Sequence, residues 1–93
     1  MPVQRLLLTY DYVDGILEKR GPFRDEHLAN ITAQVQAGRL LSAGAVGDPP
    51  TGALFVWTAE AADAIEGFVA ADPYVRNGLV PAHRVEPWTV VTE

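Results

Sequence analysis

Ninety-three residues with a formal net charge of −5, 48% hydrophobic residues and no cysteine describe one small domain spanning residues 1–93 and exclude a two-domain enzyme. Seven lysines and arginines against twelve aspartates and glutamates provide no basic stripe for a phosphate backbone, so no nucleic-acid partner is expected. Without cysteine there is no disulfide, thiolate nucleophile or thiolate metal site, and with only His27 and His83 to supply imidazole no metal is expected. Residues 3–10 (Val-Gln-Arg-Leu-Leu-Leu-Thr-Tyr) are β-compatible and too short for a comfortable helix, and they run into the polar break Asp11-Tyr12-Val13-Asp14-Gly15. Residues 16–21 lack a clear period, and Glu18-Lys19-Arg20 reads as a solvated charge cluster. Gly21-Pro22 then opens a helix to about residue 37, because proline is tolerated where its missing N–H has no partner anyway. On that helix Leu28, Ile31 and Val35 share a face, with Arg24 at its N-terminal end and His27 on its flank, and Gly38 ends it.

Residues 40–46 (Leu-Leu-Ser-Ala-Gly-Ala-Val) form a second strand, the turn signal Gly47-Asp48-Pro49-Pro50-Thr51-Gly52 follows, and residues 53–58 are the most β-prone stretch, so strands two and three pair as a hairpin. Thr58 is placed to cap a second helix with Glu60 in its first turn, and Ala61, Ile65, Phe68 and Val69 supply its apolar face. Pro73 ends that helix and forces an extended backbone at Asp72. Residues 83–91 are the last strand, where Pro87 argues for a sheet edge or a bulge. The order β-α-β-β-α-β is the ferredoxin-like α+β arrangement, both helices covering one face of a four-stranded antiparallel sheet. Leu6-Leu7-Leu8 and Leu54-Phe55-Val56-Trp57 put apolar side chains on both faces, which predicts a homodimer packed sheet on sheet, with Phe55 and Trp57 assigned to the sheet or dimer interface. No apolar run approaches the ~20 residues of a membrane span and no basic leader opens the chain, so neither a membrane partner nor export from the cytoplasm is expected.

Few side chains carry chemistry. His27 lies three residues after Arg24, so both project to one side of the first helix. Asp72, at the exit of the second helix, is positioned to approach the first, since both helices share one sheet face. A carboxylate accepting the Nδ1–H of an imidazole fixes its tautomer, raises its basicity and frees Nε2 to move a proton. Such a dyad suits proton abstraction beside a carbonyl or phenol, as in isomerisation, dehydrohalogenation or elimination, and needs no cofactor. Arg24 is read either as a clamp for a substrate carboxylate or phenolate or as an aliphatic stem over the core with its head in solvent. Ser42 and the Gly44 backbone are candidates for the floor of a substrate pocket, and Tyr74 and Trp88 for stacking on an aromatic ring, with packing the competing role for both aromatics. His83 and Glu86 point to opposite faces of a strand and are taken as structural.

Arg24-Asp25-Glu26-His27-Leu28, Gly38-Arg39-Leu40-Leu41-Ser42-Ala43-Gly44 and Ala70-Ala71-Asp72-Pro73-Tyr74, together with the closing strand, resemble the YCII-related (YciI-like) family over nearly the whole chain. The resemblance implies a ferredoxin-like fold that dimerises into an α+β barrel and a catalytic His and Asp, which map onto His27 and Asp72. It also implies kinship with small enzymes, one of them a dehydrochlorinase acting on a chlorinated hydroxyquinol. Asp25, Glu26 and Asn30 stand where the family frequently carries a proline and a second histidine. Two functions follow as expectations: a cofactor-independent isomerase, dehydrohalogenase or lyase on a small cyclic or aromatic molecule, or an accessory homodimer that binds such a molecule without turnover. No dinucleotide fingerprint, P-loop or nucleophile elbow appears in the sequence.

Overall fold

The computed structural model describes residues 2–93. Along them run β1 (Val3–Asp11), α1 (Ile16–Lys19), α2 (Gly21–Gln36), β2 (Leu40–Val46), β3 (Gly52–Thr58), α3 (Ala62–Ala71), α4 (Pro73–Arg76) and β4 (Ala82–Val90). The expected order is present, with two single-turn helices added, α1 where the sequence showed no period and α4 directly after Asp72. All strand pairs are antiparallel and the sheet order is β2-β3-β1-β4. This is the ferredoxin-like α+β fold. Among the described residues no helix is long and apolar enough to cross a membrane.

Pairing register sets the layering. Leu6, Leu8 and Tyr10 of β1 stand opposite Trp57, Phe55 and Ala53 of β3, so these side chains share one face. That face carries the core, where Leu8, Tyr10, Phe55 and Trp57 meet Ile65, Phe68 and Val69 of α3. Phe55 and Trp57 therefore belong to the helix-covered core, not to the sheet-face interface expected for them. The opposite face presents Leu7, Leu54, Val56, Val46 and Trp88, of which Leu54 is 36%, Trp88 39% and Val46 48% exposed. Pro87 falls on the edge strand β4, where a missing N–H costs nothing.

Helix ends follow local chemistry with one exception. After α2, Gly38 takes φ +77°, its N–H reaches Val35 O and that of Arg39 reaches Gln34 O, the Schellman arrangement that glycine permits. Thr58 does not cap α3: it stays in β3 opposite Arg5, a turn follows, and Ala61 occupies the N-cap with Asp63, not Glu60, as the acidic residue of the first turn. Strand pairing outcompetes the cap. The face of α2 is also rotated from expectation. Leu28 and Val35 are 41% and 49% exposed, Phe23 and Ile31 pack partly against the core, and His27 is the buried residue. A polar side chain is buried on this helix because partners await it.

Candidate active site

Four elements bring the site together. His27 comes from the second turn of α2, Asp72 and Tyr74 from the junction of α3 and α4, and Tyr10 from the end of β1. Pro73 makes the junction: Asp72 sits at φ −70°, ψ 121°, which ends α3, and its Oδ1 accepts the backbone N–H of Tyr74 at 3.0 Å as the cap of α4. The same oxygen lies 2.9 Å from His27 Nδ1, and Oδ2 accepts the Tyr10 hydroxyl at 2.8 Å. Asp72 is fully buried and His27 is 5% exposed. A carboxylate only accepts, so Nδ1 carries the hydrogen and Nε2 is the free ring nitrogen. Tyr74 stacks on the imidazole at 3.8 Å with 6° between the planes. The ring is thus held at one edge by charge-assisted hydrogen bonding and on one face by an aromatic.

His27 lines a cavity of about 230 Å³ together with Arg20, Arg24, Tyr12, Phe55 and Tyr74, its floor formed by Ala43, Gly44 and Ala45 of β2 and Ala53 of β3. Arg24, Gly44 and Tyr74 are therefore at the cavity with His27, while Asp72 stands behind the imidazole. Ser42 and Trp88 are elsewhere. Ser42 pairs with Val56 and Trp88 with Arg5, which puts both on the open sheet face, away from the cavity. One residue of strand alternation separates Ser42 from the floor that Ala43 provides. Gly44 contributes backbone: a Cβ there would meet nothing within 4 Å.

Among the residues of the site that escaped the sequence reading are Tyr10 and Arg20. Tyr10 shares its face with Leu6 and Leu8 and reads as core; its signal was the phenol, whose buried hydroxyl requires a partner. Arg20 sat in an apparently solvated charge cluster, yet the break between α1 and α2, where it serves as the C-cap of one and the N-cap of the other, turns it to the cavity. The close approach of Tyr10 to β3 also depends on Gly52, where a Cβ would lie 2.2 Å from the Tyr10 carbonyl oxygen.

Burial, followed by the nearby Asp72 carboxylate, pushes the Tyr10 phenol far above its ordinary value of 10.0. Burial, then Tyr74 and Asp72, raises Tyr12 to about 12, and burial raises Tyr74 against the opposing pull of Arg20 and Arg24. In the unfolded chain these phenols lose their protons near pH ~10, and the folded chain holds them longer, so above that pH the unfolded state binds fewer protons and stability falls. The urea midpoint is expected to be insensitive to these groups below about pH 9 and to drop steeply above about pH 10, with a shallower slope in Tyr10→Phe. An unchanged slope in that variant would show that Tyr10 is not the group responsible.

Comparison with curated proteins finds no match. Among solved structures, the chain is similar to 5-chloro-2-hydroxyhydroquinone dehydrochlorinase from Burkholderia phenoliruptrix AC1100 in complex with 2,5-dihydroxybenzoquinone. That likeness has 26% identity and a TM-score of 0.72 over 90% of this chain and 92% of that one. A protein of unknown function from Nitrosomonas europaea, 16% identical with a TM-score of 0.59 over 100% of this chain and 93% of that one, shares the fold. The sequence model of the YCII-related domain matches residues 4–89. A match over that span, on the fold just described, means that the chain belongs to the YCII-related family.

Proposed function

We propose that this chain is a small enzyme of the YCII-related type, one domain over residues 1–93, that moves a proton on a small cyclic or aromatic molecule. The carrying observation is the 2.9 Å contact between His27 Nδ1 and Asp72 Oδ1 at the wall of an open cavity. In this reading Nε2 of His27 takes a proton from a carbon beside a carbonyl or from a phenol hydroxyl, and Asp72 stabilises the resulting imidazolium. In an isomerisation the proton returns at another carbon. In a dehydrohalogenation the C–H electron pair becomes a new double bond, the carbon–halogen bond breaks, and halide departs with its electron pair. Arg24 holds the substrate's carboxylate or phenolate, and Tyr74 and the Gly44 backbone line its berth. The dehydrochlorinase similarity supports the elimination branch.

The test offers the purified chain a panel of chlorinated hydroquinols, chlorophenols and lactones, measuring halide release, product and deuterium uptake from heavy water. Multiple turnovers on at least one compound are expected. A ligand-induced rise in thermal stability without product, unaffected by His27→Ala, would instead identify a binding protein.

The proposal includes a homodimer packed through the open sheet face, because Leu7, Leu54, Val56, Val46 and Trp88 form an apolar surface too broad for a small monomer to leave in water. Sedimentation is expected to give twice the 10.1 kDa chain mass, and Leu7→Glu with Val56→Glu, a directly opposed pair, is expected to give the single chain. A wild-type chain that sediments as a monomer at micromolar concentration removes the dimer from this reading.

A further inference from the structure

Charge pairing across the molecule singles out one place. Of the seven lysines and arginines, Arg5 pairs with Glu93, Lys19 with the Asp14 carbonyl, Arg39 with Gln34, Arg76 with Glu26 and Arg84 with Glu86. Arg20 and Arg24 have neither a carboxylate nor a carbonyl partner among the described residues, and both line the His27 cavity. They stand four apart at the start of α2, so their side chains leave the helix on one side. No carboxylate lines the cavity with them. Asp72 is sealed behind the imidazole with its oxygens taken by Tyr10, His27 and the Tyr74 N–H. A chain of net charge −5 thus leaves the two cations without such partners at a histidine-lined hollow.

A second observation points to the same spot. The Tyr74 hydroxyl is buried and has no hydrogen-bond partner, although the ring itself lines the cavity. Buried hydroxyls are nearly always satisfied, so this one is available to donate to a group bound in the cavity. Both guanidinia are close enough to oppose the burial-driven rise in its ionisation, with Arg24 within reach of its oxygen. Two cations and one phenolic donor converge, and what complements them is an oxygen carrying negative charge. The walls are rings, Tyr12, Phe55, Tyr74 and His27, over a floor of alanine and glycine. The volume of about 230 Å³ falls below that of pockets for drug-sized ligands.

We infer that the cavity selects a single planar ring bearing an ionised oxygen, held between Arg20 and Arg24 and hydrogen-bonded by the Tyr74 hydroxyl, with Arg20 a specificity-determining residue. The inference rests on this cavity being the substrate site and is independent of whether His27 acts as a base. Calorimetry on the full chain compares benzoate with benzamide, and 4-nitrophenolate with 4-nitroanisole at a pH where the phenol is ionised. In at least one pair the ionised member is expected to bind about tenfold more tightly or better, and added salt to shrink the gap. Discrimination confined to the first pair identifies a ring carboxylate, and to the second a phenolate; either outcome supports the inference. Arg20→Gln is expected to abolish the preference, Arg20→Lys to retain part of it, and Tyr74→Phe, which keeps the stack on His27, to weaken the ionised member alone. Circular dichroism checks that each variant is folded. Equal binding within both pairs, no binding by any of the four, or a preference intact in folded Arg20→Gln overturns it. A chain that discriminates normally but turns nothing over refutes only the proton-transfer reading.

Discussion

Asp72→Ala is expected to lower stability by about 3 kcal/mol or more, because it strands the buried Tyr10 hydroxyl, the His27 Nδ1–H and the Tyr74 N–H together, each costing about 1–3 kcal/mol when left unpaired. These groups partly repair by shifting, so the three costs do not simply add. Urea denaturation reads the effect as a fall in midpoint at unchanged slope. Asp72→Asn separates structure from chemistry. Its carbonyl oxygen, in the place of Oδ1, still accepts from His27 Nδ1 and the Tyr74 N–H, and its NH2 donates to the Tyr10 hydroxyl. The imidazole keeps its tautomer but loses the negative charge that raises its basicity and stabilises the imidazolium. Turnover on any substrate identified by the panel is expected to fall by about 10²–10⁴-fold, as for loss of a general base, while the chain remains folded. A folded Asp72→Asn protein with normal turnover would sink the role of the Asp72 carboxylate in making the imidazole a base.

His27→Gln is expected to match that loss in turnover while costing less stability, about 1–2 kcal/mol. Glutamine retains a donor for Asp72 but has no nitrogen able to take up a proton near neutral pH. If proton abstraction is the slow step, the loss lies in kcat, and uptake of deuterium from heavy water disappears with it. Binding of an inert ring is expected to change little, since the Arg20 and Arg24 guanidinia remain. Undiminished turnover in a folded His27→Gln chain would assign the chemistry to another group. His27→Ala is the poorer probe, because it leaves Asp72 short of a donor and opens a void beneath Tyr74.

Several features were legible from short-range chemistry alone. Pro22 opens α2, Gly38 closes it and Pro73 breaks the chain after Asp72, because ring constraint and positive φ act within one or two residues. The order of strands and helices, and the apolar face of α3, followed from periods of two and 3.6 residues. His27 and Asp72 were nameable because so few side chains in this sequence move protons. Which side chains share a surface was not legible in this way. Trp57 and Phe55 went to the core, and Ser42 and Trp88 to the open face, once the β1–β3, β2–β3 and β1–β4 registers were set; a shift of one residue reverses every side chain, and the partners of β1 that decide it lie forty or more residues away. The rotation of α2 that buries His27 and exposes Leu28 depends on Asp72 and Tyr74 arriving from the far end of α3. Hydrophobic periodicity cannot register a polar residue whose burial is made favourable by a distant partner. Residue type and local geometry thus determined the parts and their order, and tertiary structure alone decided which of them meet, since hydrogen bonds and ring contacts between remote segments exist only after the chain has closed on itself.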